Sequence, residues 1–183
     1  WNLLLPIGKK CYKDWFWKSR FIGVGGVIVD LENRCILVTG GTGSLGRALV
    51  RRLLSGEMGK PAKIVVFSRD EAKQYEMRVN WKQRLHATED IAYDKVEDLL
   101  EFRIGDVRNY ASVSEAVRGI DVVFNAAALK QVPTCEYFPY EAVLTNVVGA
   151  HNLTRAIKEN HTAPELVVGI STDKACKPIN VMG

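Results

Sequence analysis

From Cys35 onward, short runs of β-branched and aliphatic residues alternate with longer stretches in which apolar residues recur every three or four positions. CILVT at 35–39, IVVFS at 64–68, FRIGD at 102–106, DVVFNAA at 121–127 and LVVGIS at 166–171 read as strands. The intervening stretches 45–55, 70–87, 111–118 and 139–160 read as helices; in the last, Val143, Val147, Ala150, Leu153 and Ile157 share one stripe and are assigned to the core. Apolar strands separated by helices predict an α/β fold, a doubly wound parallel sheet covered on both faces. The acidic segment TEDIAYDKVEDLLE at 88–101 predicts a surface excursion before the third strand. Residues 1–34 keep no sustained period and predict a loosely packed arm, with the domain running from 35 to 183. A fold of this kind carries more sheet and a substrate region after its fifth strand, so a chain stopping at Gly183 reads as the N-terminal portion of something larger, truncated after about that strand.

The chemistry begins in the first strand-to-helix turn. Thr39 is followed by Gly40, Gly41, Thr42, Gly43, Ser44, Leu45 and Gly46, and Gly40, Gly43 and Gly46 let the backbone turn tightly while N–H groups at the helix start face outward. A pyrophosphate is the expected guest, which makes the sheet Rossmann-like. The spacing is GxxGxxG and not the dehydrogenase GxGxxG, so the reading leans on the strand–turn–helix setting; the alternative is a turn that only connects its neighbours. Twenty-two residues after Gly46 the second strand ends in Ser68, Arg69 and Asp70, where an NAD enzyme commonly places an acid against the ribose. Arg69 suits a 2′-phosphate, Ser68 can donate to it and Lys73 adds positive charge, which favours NADP over NAD; Ser68 and Asp70 can also cap the following helix. Asp106 and Val107 end the third strand, with the carboxylate suited to an adenine amino group, and Ala126, Ala127 and Ala128 end the fourth with side chains small enough for a cofactor against backbone. Thr172, Asp173 and Lys174 end the fifth, placing a donor, a carboxylate and an amine at the same edge, although Ser-Thr-Asp alone also reads as a helix cap.

Composition narrows the partners. With 183 residues, 47% of them apolar and 25% charged, the chain has the make-up of one soluble domain, and residues 1–34 carry most of the net +4. That leaves no basic stripe for nucleic acid. Four cysteines at 11, 35, 135 and 176 and histidines at 86, 151 and 161 show no zinc-like spacing, so the cysteines read as reduced thiols, no metal site is expected and the cytoplasm is the expected compartment. The longest apolar run, Phe21 to Val29, falls well short of the roughly 20 residues a membrane span needs, and Asp30, Glu32 and Asn33 follow it where a signal peptide would have small residues.

TGGTGSLG, FSRDEAKQ, IGDVRN, NAAALKQVP, EAVLTNVVGAHN and STDKACKPINVMG occur in the order seen in extended short-chain dehydrogenases, and over about residues 35–183 the chain resembles the UDP-N-acetylglucosamine 4,6-dehydratases of bacterial surface-sugar synthesis. The resemblance implies bound NADP, a UDP-sugar substrate, a homo-oligomer when complete, and a three-step reaction. Hydride leaves sugar carbon 4, water is lost across carbons 5 and 6, and hydride returns to carbon 6. It further implies that Thr172 holds the 4-hydroxyl, Asp173 helps protonate the departing 6-hydroxyl and Lys174 is the base at carbon 5, with Lys130 a second cation near cofactor and substrate and Asn146 a supporting polar group. A ketone at carbon 4 acidifies the neighbouring C–H, which is what makes the lysine step feasible once its ammonium is desolvated. Most extended members carry YxxxK after the fifth strand; here Met182 stands at the tyrosine position, and a thioether carries no proton. Met at that position is shared with some of these dehydratases. The motif's lysine would fall beyond Gly183, so this chain alone is expected to bind nucleotide without turnover. The competing readings are a UDP-sugar 4-epimerase or reductase of the same family and an NADP-binding module without catalysis.

Overall fold

Each apolar strand feeds two cores at once. The computed structural model describes residues 21–22, 28–87, 96–160 and 164–183. Most of the N-terminal arm with Cys11, the 88–95 part of the acidic excursion and His161 lie outside these residues. β1 (Phe21–Ile22) and β2 (Ile28–Val29) pair antiparallel as a separate two-stranded ladder. β3 (Cys35–Thr39), β4 (Lys63–Ser68), β5 (Leu100–Ile104), β6 (Val122–Asn125) and β7 (Leu166–Gly169) form one parallel sheet in the order β5-β4-β3-β6-β7. Ile36, Val38, Ile64, Val66, Val122 and Phe124 point to one core, whereas Leu37, Val65, Phe67 and Val123 point to the other, as the two-residue period of a strand requires.

Helices close both faces. α1 (Ser44–Leu54) buries Gly46, Leu49, Val50 and Leu53 and ends with Arg51 and Arg52, cations that suit a helix C-terminus. Met77 of α2 (Glu71–Ala87) joins the same core. α3 (Val96–Leu99) leads directly into β5. On the opposite face, α4 (Tyr110–Ala116) is capped by the Asn109 side chain, which accepts from the Ser112 N–H at 3.1 Å. This is the doubly wound parallel sheet expected from the sequence, with the order reversing between β3 and β6.

The structure departs from the sequence reading at four places. β5 begins at Leu100, inside the stretch read as a surface excursion, because that one leucine pairs with Ile64 and is buried in the core. Leu31, from the segment expected to be a loose arm, is 1% exposed in the same cluster, and the neighbouring backbone is tied down by Asn33 donating to the Lys60 carbonyl at 2.8 Å. The helix expected at 139–160 is three pieces: α6 (Pro139–Val143), a π-helical turn (Leu144–Val148) and α7 (Gly149–Glu159). Ala142, Thr145, Gly149, Asn152, Leu153 and Ala156 are the buried positions, so Val143 (45% exposed) and Val147 (61% exposed) face outward and are not core. The wider π-turn changes the phase at which residues meet the sheet, and an uninterrupted 3.6 period assigns the wrong stripe. A short helix not expected from sequence, α5 (Val132–Tyr137), follows β6, with Pro at its start.

Candidate functional site

Gly40 follows β3 with φ +63, and a Cβ there would lie 2.7 Å from the Ala126 carbonyl oxygen in the loop after the neighbouring strand β6. Gly46, in the first turn of α1, lies against the Gly40 and Gly41 backbone, where a Cβ would meet atoms at 2.5 Å. These two close approaches hold the helix start over the sheet edge. Gly43 is the N-cap and its carbonyl accepts from the Arg47 N–H at 2.8 Å, so the N–H groups of Ser44, Leu45 and Gly46 have no acceptor within the helix. The Arg47 Nε donates to the Thr42 carbonyl at 2.8 Å, and the buried Thr42 hydroxyl bonds the Ser68 hydroxyl at 2.8 Å. The turn is thus fixed from both sides, with the Gly40 N–H bonded to the Phe67 carbonyl and the Gly43 N–H to the Gly40 carbonyl, while the N–H groups at the start of α1 keep no intrahelical acceptor.

At the end of β4, within the cluster Ser68, Arg69, Asp70 and Lys73, the last two are already paired with each other. Asp70 caps α2, its Oδ1 accepting from the Lys73 N–H at 3.0 Å and its Oδ2 from the Lys73 ammonium at 2.6 Å, and the Lys73 bonds hold the Asp70 carboxyl below its usual value. Lys73 therefore brings its charge to the cluster already matched by an acid. Arg69 extends the other way, its guanidinium 3.8 Å from Asp106. Asp106 accepts from the Arg108 N–H at 2.9 Å and the Arg108 guanidinium at 2.6 and 2.8 Å, and Arg108 also bonds Glu141. Burial pushes the Asp106 carboxyl up, but the side-chain and backbone bonds from Arg108, with the charges of Arg108 and Arg69, outweigh it and hold the group below the usual carboxylate value. The sequence reading named Asp106 without its clamp; Arg108, two residues on in the same loop, is the residue it missed.

After β6 the loop carrying Ala126, Ala127 and Ala128 stays close to the glycine turn, with Ala126 N–H donating to the Thr39 carbonyl at 3.2 Å. Asn146 reaches this loop from the π-turn: its amide oxygen accepts from Leu129 N–H at 2.8 Å and its amide nitrogen donates to Leu129 O at 2.9 Å. Asn146 thus holds backbone, while Lys130, next to it, is exposed. Thr172, Asp173 and Lys174 lie past β7, in an exposed 3-10 turn, Asp173–Ala175. The Thr172 hydroxyl accepts from Lys174 N–H and donates to Asp173 at 3.2 Å, so Thr172 caps the turn as the helix-cap reading expected. The Lys174 charge and the Thr172 bond hold the Asp173 carboxyl below its usual value, whereas a proton donor needs the opposite shift. Gly183, the residue after Met182, folds back against the Lys174 carbonyl.

A cleft of about 120 Å³, open to solvent, lies over the carboxyl edge of the sheet, lined by Gly40, Phe67, Ser68, Arg69, Gly105, Asp106, Val107, Ala127, Ala128 and Thr145. Seven of these are sequence-identified positions; Phe67, Gly105 and Thr145 are not. Its place at the reversal of strand order is where open α/β sheets bind ligands. The open N–H groups, the glycine approach and the Arg69 guanidinium form a set that fits a phosphate-bearing dinucleotide. Cys35, Cys135 and Cys176 are free thiols, and no helix among the described residues is long and apolar enough to cross a membrane.

A family model described as polysaccharide biosynthesis protein matches residues 36–183. The UDP-glucose 4-epimerase of Rickettsia bellii (strain RML369-C) is 48% identical over 152 residues, covering 82% of this chain and 40% of that protein. The protein of the same name from Rickettsia akari (strain Hartford) is 47% identical over the same shares. The chain thus spans about 40% of the length of these curated relatives. Among solved structures, Pen from Bacillus thuringiensis is 33% identical with a TM-score of 0.71, covering 84% of this chain and 42% of that one. WbmF from Bordetella bronchiseptica, solved in complex with NAD+, shares the fold at 20% identity and a TM-score of 0.57, over 84% of this chain and 42% of its own.

Proposed function

Since the chain belongs to the polysaccharide biosynthesis protein family and so to the extended short-chain dehydrogenases, we propose that the protein carrying it is a nucleotide-sugar 4,6-dehydratase that takes UDP-N-acetylglucosamine and uses NADP. The observation that carries this reading is Met182 in the sequence position where ordinary members have the tyrosine of YxxxK, with the next residue, Gly183, folded against the Lys174 carbonyl. A site without that phenol must find its acid and base in the triplet itself.

NADP, when bound, supplies the acceptor for hydride from carbon 4 and its return to carbon 6. The chain's residues do the rest. Gly40, Gly43 and Gly46 shape the pyrophosphate seat, the N–H groups of Ser44 and Leu45 bind it, and Thr42 fixes the turn. Ser68 and Arg69 meet the ribose end, with Asp70 and Lys73 holding the start of α2 beneath them. Asp106, Val107, Ala126, Ala127 and Ala128 form the walls, and Asn146 keeps the last of these loops in place next to Lys130. Thr172 holds the 4-hydroxyl, Lys174 removes the carbon 5 proton from the 4-ketone and Asp173 delivers a proton to the leaving 6-hydroxyl. For Lys174 and Asp173 to act so, the bound sugar must strip water from a triplet that is exposed in this structure, raising the carboxyl and lowering the ammonium.

The curated names favour a second reading, a UDP-sugar 4-epimerase. Proton NMR in deuterated water separates the two, using UDP-N-acetylglucosamine and a protein that carries this region at the full length of its relatives. A 6-deoxy-4-keto sugar with deuterium at carbon 5 supports the dehydratase; a 4-epimer without deuterium replaces it with the epimerase.

A further inference from the structure

Near the start of α2 one polar side chain turns inward. Glu71, Ala72 and Lys73 before it and Tyr75 and Glu76 after it are exposed, whereas Gln74 is 4% exposed. Its carboxamide nitrogen donates to the Ser68 carbonyl and to the Arg103 carbonyl, each at 2.9 Å. Two carbonyl oxygens can be met only by the amide nitrogen, and both of its protons are engaged by them. An apolar side chain would fill the same space without ordering a long polar stem, so what Gln74 adds is the bridge itself.

The bridge sits where β4 and β5 separate. Their ladder runs to Ser68 opposite Ile104, and the Gly105 N–H donates to the Ser68 carbonyl at 3.1 Å just beyond it. The Ser68 carbonyl belongs to the same planar peptide as the Arg69 N–H, so a bond that fixes that oxygen also fixes the direction from which the Arg69 side chain departs. On β5, Gln74 holds the Arg103 carbonyl three residues before Asp106, the carboxylate that Arg69 faces. Arg69 itself is held loosely, by a 3.8 Å approach to Asp106 with half of its side chain exposed, so its aim comes from its backbone. We propose that Gln74 is a positioning residue for cofactor choice: it holds the Ser68–Arg69 peptide so that the Arg69 guanidinium meets a phosphate at the ribose 2′ position, and it does so from beneath, without touching the nucleotide. This rests on the NADP reading above and deepens it.

NADPH and NADH binding are titrated by fluorescence in a protein that carries this region at the full length of its relatives. Gln74→Met keeps length and bulk without the donors. Gln74→Asn keeps both protons but is one methylene shorter and reaches at most one of the carbonyls, and it serves should Gln74→Met fail to fold. Either substitution is expected to lower the preference for NADPH over NADH about three- to fivefold while NADH affinity stays within about twofold, which also shows that the site is folded. A merely structural glutamine would move both affinities together; that result, or an unchanged preference, overturns the proposal. The route through Arg69 is read from a double-mutant cycle. In an Arg69→Ala background Gln74→Met is expected to change the preference by less than about twofold, and a full additional loss there overturns the positioning role. When Arg69→Ala alone lowers the preference, the NADP reading stands whatever Gln74 does. A parent protein with no preference for NADPH overturns that reading and this proposal together.

Discussion

Arg69 and Asp106 face each other across the mouth of the cleft, guanidinium to carboxylate at 3.8 Å, although they belong to the loops after different strands. That separation is a weak ion pair, and Asp106 has a better partner in Arg108. Arg69 is therefore free to exchange Asp106 for a phosphate at little cost. Arg69→Ala is expected to weaken NADP binding about tenfold or more while changing NAD binding by less than about threefold, as read by titration with each reduced cofactor. An equal loss for both would remove Arg69 from any 2′-phosphate role.

The Asp106 clamp has a signature in acid. Its folded-state carboxyl lies below the ordinary value of 3.8, so its contribution to stability is complete above that pH and is lost as pH falls through the lower folded value. Melting temperature measured from pH 5 downward is expected to fall less steeply in Asp106→Asn than in the parent, and the variant is less stable near neutrality because Arg108 loses its carboxylate. Identical acid slopes would show that Asp106 does not contribute.

Two glycines of the same motif are expected to respond differently. Gly46→Ala forces a methyl into the Gly40 and Gly41 backbone at 2.5 Å and should cost about 1–3 kcal/mol together with NADPH binding. Gly43→Ala meets only the Gly40 carbonyl oxygen at 3.2 Å with an ordinary negative φ, and chemical denaturation should show a loss under about 1 kcal/mol.

Asn146 makes two bonds to Leu129, one as acceptor and one as donor. Asn146→Ala should lower stability by about 1–2 kcal/mol. It should also speed hydrogen exchange at the Leu129 amide far more than in the strands, which mass spectrometry of the 126–131 peptide can resolve.

The Lys174 charge is the largest influence on Asp173. In Lys174→Ala the Asp173 carboxyl is expected to titrate nearer to 3.8, upward from its value in the parent, in a carbon-13 NMR titration. Full-length protein with this substitution should lose carbon 5 exchange while keeping NADPH affinity.

The sheet and the glycine turn were legible because their causes are local. β-Branched runs bounded by helical periodicity declare a covered parallel strand, and a glycine triplet between strand and helix declares a close backbone approach. Thr145 was not legible, because a π-turn has no residue signature and a 3.6 period carried through it points Val143 and Val147 inward instead. Leu31 was missed for a related reason: one apolar residue between Asp30 and Glu32 has no period, and its burial comes from the core cluster it joins ahead of β3. Arg108 was visible as a residue but not as a clamp, since nothing in a loop's composition says which side its guanidinium will take.

The hydroxyl pair of Thr42 and Ser68 joins the glycine turn to the end of β4 through a buried bond, beside the Gly40 N–H donated to the Phe67 carbonyl at 2.9 Å. Any ligand that shifts one of them drags the other, so the two ends of the nucleotide half-site report to each other as a lever does. An occupant gripping only the turn, such as a free pyrophosphate, would pre-set the far end before a ribose arrived. A ligand seated along this edge would therefore meet a turn and a strand end that move as one piece.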